Sequence, residues 1–168
     1  MAKLVGVKGV ADILVGTAGS DEIIGNDMDD DLRGGGGLDL ILGGTGNDVI
    51  RGESGADTLY GGQGDDLIVG GAGADYMSGD AGSDTLIGGQ GNDHFVFDVR
   101  AGVLGNGIDT VTDFALGADH LTIVSGNVAN VTFTQDGADL DVYYNGIQIA
   151  TLLTEVYTGN NSDYFNLV

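Results

Sequence analysis

Ten aspartates stand in one nine-residue register: Asp12, Asp21, Asp30, Asp39, Asp48, Asp57, Asp66, Asp75, Asp84 and Asp93. Nine units carry all but the first of them without a gap from residue 16 to residue 96, starting with GTAGSDEII and ending with GGQGNDHFV. Position 1 is Gly in every unit, and position 4 is Gly in all but one, where Met28 stands. Position 6 is Asp, and position 8 is always apolar: Ile23, Leu32, Ile41, Ile50, Leu59, Ile68, Met77, Leu86 and Phe95. A degenerate copy, read as residues 7–15, keeps Asp12 and Leu14 and lacks both motif glycines. Short, rigid carboxylates in glycine turns suit a hard cation with oxygen ligands. Gly at positions 1 and 4 permits positive φ, so such a turn can aim several carbonyl oxygens inward while Asp supplies charge. The acids support turns over a solvated helical face, for there are 23 Asp and 3 Glu (Glu22, Glu53, Glu155). Glu is the better helix former; Asp with Gly belongs in turns.

Positions 7–9 of each unit read as a three-residue strand whose middle side chain faces inward. A strand that short cannot stand alone, so the copies must stack. Composition limits the rest. The chain has 168 residues, 33 of them Gly, with no Pro, Cys or Trp. Five Lys+Arg against 26 Asp+Glu give a formal charge of −21, which repels nucleic acid and anionic membranes. The missing cysteines exclude disulfides, Cys-ligated zinc and thiol chemistry, and so much glycine excludes a helix bundle. With 42% hydrophobic residues, the chain is too apolar for a disordered acidic tail. Its length suits one domain, or a repeat array with a cap.

The unit resembles GGxGxDxUx, U being a large aliphatic residue: the calcium-binding nonapeptide of the RTX (repeats-in-toxin) proteins. That resemblance implies an all-β fold, a two-sheet, right-handed parallel β-roll with a C-terminal β-rich cap. Two nonapeptides make one coil, so motifs 18 residues apart share an edge. One edge carries Asp12, Asp30, Asp48, Asp66 and Asp84 and the other Asp21, Asp39, Asp57, Asp75 and Asp93. In the family, Ca²⁺ lies between successive turns, held by the position-6 Asp and main-chain carbonyls of the glycine turn. The implied carbonyl set here is Gly35, Gly37, Gly44, Gly46, Gly55, Gly62, Gly64, Gly71, Gly73, Gly82, Gly89 and Gly91. Five turns per edge leave four gaps, so about eight ions are expected. A glycine-rich array with one inward apolar residue per unit and stacked carboxylates should be disordered without the metal and folded with it.

Three regions follow: an N-terminal segment with the degenerate repeat (1–15), the array (16–96) and a cap (97–168). Within the cap, alternation in 139–144 and 147–153 around Asn145-Gly146 predicts a β-hairpin. The stretch from Asp109 to Phe114, then Gly117 and Asp119 to Ile123, looks like the DxIxDFxxGxDxI segment that follows RTX arrays. It would cover the open strand edges of the last coil, with Asp109 or Asp113 adding a ligand to the last turn or serving as an ordinary turn acid. Residues 1–10 hold Lys3 and Lys8 but no apolar core of signal-peptide length, and no run approaches a membrane span. The ending Asp163-Tyr164-Phe165-Asn166-Leu167-Val168 resembles the uncleaved signal of type I secretion substrates. Extracellular localisation and a type I exporter as partner follow from that resemblance.

Catalytic constellations are not expected. His94 and His120, the only histidines, lie far from any HExxH, and His94 occupies outward position 7. Of paired acids such as Asp65-Asp66, one is assigned to calcium and its neighbour to solvent. GxSxG and GxxxxGK[ST] do not occur. Outward positions 7 and 9 show Ile24, Leu40, Leu42, Tyr60, Tyr76 and Val96 on one sheet, and Ile13, Val15, Val49, Leu67, Val69 and Ile87 on the other. Packing under the cap explains them, or a contact face for a polysaccharide or a second copy. The expected function is a secreted, non-catalytic calcium-binding module that folds after export. The alternatives are an accessory module of a secreted enzyme, such as an alginate epimerase or serralysin-like protease, and the terminal region of an adhesin.

Overall fold

The computed structural model describes residues 1–99, 107–115, 117–124, 131–136, 139–153 and 165–167. Strands β1 (Lys3–Val5) and β2 (Ile13–Val15) precede nine strands at the nonapeptide spacing. These are β3 (Glu22–Asp27), β4 (Asp31–Gly36), β5 (Leu40–Thr45), β6 (Val49–Ser54), β7 (Thr58–Gln63), β8 (Leu67–Ala72), β9 (Tyr76–Ala81), β10 (Thr85–Gln90) and β11 (His94–Asp98). After the array come β12 (Asp109–Val111), β13 (His120–Val124), β14 (Val131–Asp136), β15 (Asp139–Tyr144), β16 (Ile147–Leu153) and β17 (Phe165–Leu167). Odd strands from β1 to β13, then β17, form an eight-stranded sheet; even strands from β2 to β12 continue through β16, β15 and β14 into a nine-stranded one. Each array strand pairs in parallel with the strand two units on, as Leu40↔Thr58 and Ile41↔Leu59 show. The protein is all-β among its described residues, a two-sheet parallel β-roll, because the two successive units of an 18-residue coil lie on opposite faces.

Within the array the core is one column of position-8 side chains, which Val111, Leu121, Ile123, Leu140, Val142 and Leu152 extend beyond it. Ile23, Leu32, Ile41, Ile50, Leu59, Ile68, Met77, Leu86 and Phe95 are all fully buried. Each array strand up to β10 is six residues long, not three, because pairing resumes beyond position 9. In β5 and β7, Leu42↔Tyr60 is followed by Gly44↔Gly62, with the position-1 glycines between them skipped. The ladder thus bends at position 1 and carries on into the turn.

Two readings of the sequence change. The first copy is ten residues long and starts at Gly6, not residue 7. Lys3 pairs with Glu22 but Ile13 with Asp31, offsets of 19 and 18, so one extra residue lies between. Gly6 packs against Gly25 as a position-1 glycine, and Gly9 has a φ of 75°, so this copy does carry its two glycines. Val96, expected on the outer face, is buried beside Phe97, Val99 and Ile149.

The segment after the array extends the roll. β12 pairs with β10 and β13 with β11, adding one strand to each sheet and so one coil to the roll. The apolar column continues, with buried Val111 in register with Leu86 and buried Leu121 with Phe95, and Phe114 is buried with its ring 5.8 Å from that of Phe95. The Asn145-Gly146 turn joins β15 to β16 with both residues at positive φ, the geometry that two-residue hairpins favour.

Candidate metal centre

Each turn of the array is tied to its neighbour through its position-6 aspartate. Asp39 Oδ1 accepts from the Asp21 N–H at 2.7 Å, Asp57 Oδ1 from Asp39 at 2.8 Å and Asp75 Oδ1 from Asp57 at 2.8 Å. On the other edge, Asp48 Oδ1 accepts from Asp30, Asp66 Oδ1 from Asp48 and Asp84 Oδ1 from Asp66. From Asp21 to Asp93 all nine position-6 side chains are buried. Position 5 runs a second ladder the opposite way. Asn47 N–H donates to Asp29 Oδ1, Asp65 N–H to Asn47 Oδ1 and Ser83 N–H to Asp65 Oδ1. Asp29 and Asp65, read from the sequence as merely solvated, therefore hold the edge together.

The second carboxylate oxygen is where chemistry is left over. Oδ2 of Asp30, Asp39, Asp48, Asp57, Asp66, Asp75, Asp84 and Asp93 is buried without a hydrogen-bond partner among the described residues. An orphaned buried carboxylate oxygen is costly and calls for a cation or a donor. The position-1 glycines show where these oxygens aim. A Cβ added to Gly25 would fall within 3.0 Å of both Asp30 Oδ2 and the Gly43 carbonyl oxygen. The same double clash meets Gly34 (Asp39, Gly52), Gly43 (Asp48, Gly61), Gly52 (Asp57, Gly70), Gly61 (Asp66, Gly79) and Gly70 (Asp75, Gly88). Six turns thus bring a free carboxylate oxygen and a carbonyl oxygen of the next coil to one point. Position 1 is glycine because this cradle has no room for a side chain.

Positive φ belongs instead to positions 2 and 4. Gly35 and Gly37 have φ of 100° and 118°, and Gly44, Gly46, Gly55, Gly62, Gly64, Gly71, Gly73, Gly82, Gly89 and Gly91 follow them. Asn26, Met28, Glu53 and Asp80, which stand at these positions in place of Gly, adopt the same conformation, whereas Thr17 and Gly19 of the first unit do not. Position-4 carbonyls of Gly37, Gly46, Gly55, Gly64 and Gly73 lie against the position-4 glycine one coil on. Position-2 carbonyls stack likewise, Gly44 on Gly62 and Gly71 on Gly89. The expected carbonyl set omits position 1, whose signal in the sequence is its invariance as Gly across all nine units.

The ends of both edges differ from the middle. Asp12 Oδ2 accepts from Val7 N–H at 2.6 Å, and Asp21 Oδ2 from Thr17 N–H at 2.6 Å and Thr17 Oγ1 at 2.8 Å. Those carboxylates are already satisfied. At the far end Asp109 and Asp119 continue the two columns: Asp84 N–H donates to Asp109 Oδ1 at 3.0 Å and Asp93 N–H to Asp119 Oδ1 at 2.9 Å. Asp113 serves elsewhere, accepting from Gly88 N–H and Gly89 N–H. The Gly82 carbonyl accepts from Gly107 N–H. Asp119-His120-Leu121-Thr122 repeats positions 6–9 of the unit, but Asp119 Oδ2 accepts from Ala115 N–H at 2.8 Å, so this carboxylate too is satisfied.

Electrostatics separate the two classes. The Ala2 N–H and the Thr17 hydroxyl hold Asp21 below the ordinary carboxylate range. Burial raises Asp30, Asp39, Asp57 and Asp93, and pushes Asp48, Asp75 and Asp84 to about 6 and Asp66 to about 7. Asp109 reaches about 8, burial again being the largest cause. A carboxyl raised by folding takes up protons as the chain folds, so its stabilising contribution is complete below the unfolded value near 4 and is lost as pH rises through about 6–7. In calcium-free buffer, circular dichroism should therefore show more β structure at pH 5 than at pH 7.5. With calcium present the half-saturation concentration should rise on the same acidification, since protons compete for the same oxygens. A calcium-free spectrum richer in β at pH 7.5 than at pH 5 would refute this assignment.

A donor set made only of carboxylate and carbonyl oxygens fits a hard divalent cation, and calcium in particular, because it tolerates irregular oxygen shells. A family model described as RTX calcium-binding nonapeptide repeat (4 copies) matches residues 9–41, 33–68 and 60–95. No curated protein matches the chain. Among solved structures it is similar to the extracellular lipase LipA from Serratia marcescens, at 19% identity and a TM-score of 0.49. That likeness covers 99% of this chain and 40% of the lipase chain, so the protein spans well under half the lipase's length.

Proposed function

Because the chain belongs to the RTX calcium-binding nonapeptide repeat family, we propose that it is a secreted, non-catalytic module that folds on binding Ca²⁺ between its stacked turns. The observation that carries this reading is the set of buried Oδ2 atoms without partners, six of them meeting a carbonyl oxygen of the next coil. Asp30, Asp39, Asp48, Asp57, Asp66 and Asp75 would hold an ion each, with carbonyls of the facing glycine turns. Asp84 and Asp93 would hold two more, the first together with Asp109; Asp119 only ties the Asp93 turn, because its Oδ2 already accepts from Ala115 N–H. The turns at Asp12 and Asp21 drop out, because their carboxylates are bound by their own backbone. Eight ions remain, set one turn later along each edge than the repeat count alone places them. Calcium supplies the positive charge that lets carboxylates stack one coil apart. In its absence the buried acids repel one another, so metal binding contributes directly to folding.

Export fits the same chemistry. A chain kept unfolded by low calcium can thread a type I channel and fold outside, where weak sites of ~10⁻⁴–10⁻³ M fill. The recognition element would lie in residues 163–168. Deleting them should abolish appearance in the medium of a host with a compatible exporter, measured by immunoblot of culture supernatant. Residues 165–167 also form β17, an edge strand on β13, so the deletion should lower thermal stability while leaving the calcium-induced β signal. Export of the truncated chain at the full-length level would remove the secretory role.

A further inference from the structure

His94 and His120 stand side by side across the seam between the last repeat and the segment that follows it. β11 and β13 are parallel neighbours that pair these residues in register, so both side chains leave the same face of the sheet. Their ring centroids are 6.4 Å apart. Tyr76, in register with His94 on its other side, packs edge-on against the His94 ring at 5.2 Å and restricts its rotation. His94 Nε2 lies 2.6 Å from Thr122 Oγ1. With the proton on Nε2 donated to that hydroxyl, Nδ1 keeps its lone pair. This is the arrangement by which a metal-ligating imidazole is usually oriented, its other ring nitrogen donating to a second group. Among the described residues none hydrogen-bonds the His120 ring, which is exposed. Both rings open into a depression of about 440 Å³, also lined by Ala74, Asp75, Tyr76, Asn92 and Thr122.

We propose that His94 and His120 form a two-imidazole site for a borderline transition-metal cation, Zn²⁺, Ni²⁺ or Cu²⁺, that clips the C-terminal segment to the last coil. Imidazole nitrogens select these ions and leave hard Ca²⁺ to the oxygen-lined turns. Two protein ligands leave the remaining positions to water, so Cu²⁺ should bind most tightly of the three. Bridging β11 and β13, the ion stabilises the folded roll by mass action.

The chain holds only two histidines, which makes the test direct. Untagged protein saturated with Ca²⁺ gives two imidazole Hε1 signals by NMR. One equivalent of Zn²⁺ should shift both, and a small fraction of Cu²⁺ should broaden both before any other resonance. By calorimetry H94Q and H120Q should each weaken Zn²⁺ at least about tenfold, in the range seen when metal sites lose supporting groups. Zn²⁺ should raise the melting temperature of the parent protein and not of H120Q. The proposal fails if the two histidine signals ignore one equivalent of Zn²⁺ and Cu²⁺ in the presence of excess Ca²⁺, or if either variant keeps full affinity. The NMR result on the unsubstituted protein decides the matter even if a variant folds poorly.

Discussion

Stripped of calcium at pH 7.5, the protein will lose its far-UV β signal and regain it when calcium is returned. Within the array the core is a single apolar column, one side chain per unit, beneath turns built of glycine, whose ordering is entropically the most costly. Against that slender core stand eight buried carboxylate oxygens with no partner. The pKa values of about 6 to 7 at Asp48, Asp66 and Asp75 show how poorly burial tolerates their charge. At neutral pH the metal-free chain must either protonate these acids or open the turns, and opening releases glycine entropy as well. Bound calcium would reverse the balance by giving each free oxygen a ligand role. The titration should be cooperative, with a midpoint on the order of 10⁻⁴–10⁻³ M if the sites are of the weak extracellular kind. Mg²⁺ should substitute poorly because it resists dehydration and demands near-octahedral geometry. A β spectrum untouched by chelator at pH 7.5 would overturn calcium-dependent folding.

Substitution at Asp66 should be far more damaging than at Asp12. Asp66 Oδ1 accepts the Asp48 N–H at 2.7 Å, while its Oδ2 is free and shares a point with the Gly79 carbonyl. D66A removes both, stranding a buried N–H at a cost of about 1–3 kcal/mol and deleting one ion site. D66N keeps an acceptor for the Asp48 N–H and loses the charge and the second oxygen. Its calcium midpoint should rise severalfold, yet its calcium-free form at pH 7.5 should be no less structured than the parent's. Asp12 is half-exposed at the start of its column, and its Oδ2 is already bound by Val7 N–H. D12A should fall within about 1 kcal/mol of the parent, as expected for a position at a fraying end. Calcium titrations of the three variants followed by circular dichroism measure this. Equal shifts at positions 12 and 66 would contradict stacking of turns into one cooperative column.

The sequence by itself determined the parts of this protein that repeat or close locally. A strict nine-residue period names the core column, assigns every array aspartate to one of two edges and requires stacking, because a three-residue strand has no other way to pair. Asn145-Gly146 likewise specifies its hairpin, since the turn needs two residues at positive φ and these supply them. What escapes such reading is whatever crosses between coils without keeping the period. Asp109 and Asp119 join columns whose members are otherwise 18 apart, from distances of 25 and 26 residues. The chain between can be any length so long as the Asp84 and Asp93 N–H groups find an acceptor. Gly6 begins a copy that carries one extra residue, visible only when β1 and β2 show different offsets from their partners. Position 1 shows as glycine in the sequence, but the reason is tertiary: its Cα faces a carboxylate and a carbonyl from two different places in the chain. The His94–His120 pair is of the same kind. Residues 26 apart become neighbours because β11 and β13 share a register, and registers between coils are set by hydrogen bonds across space, not by distance along the chain.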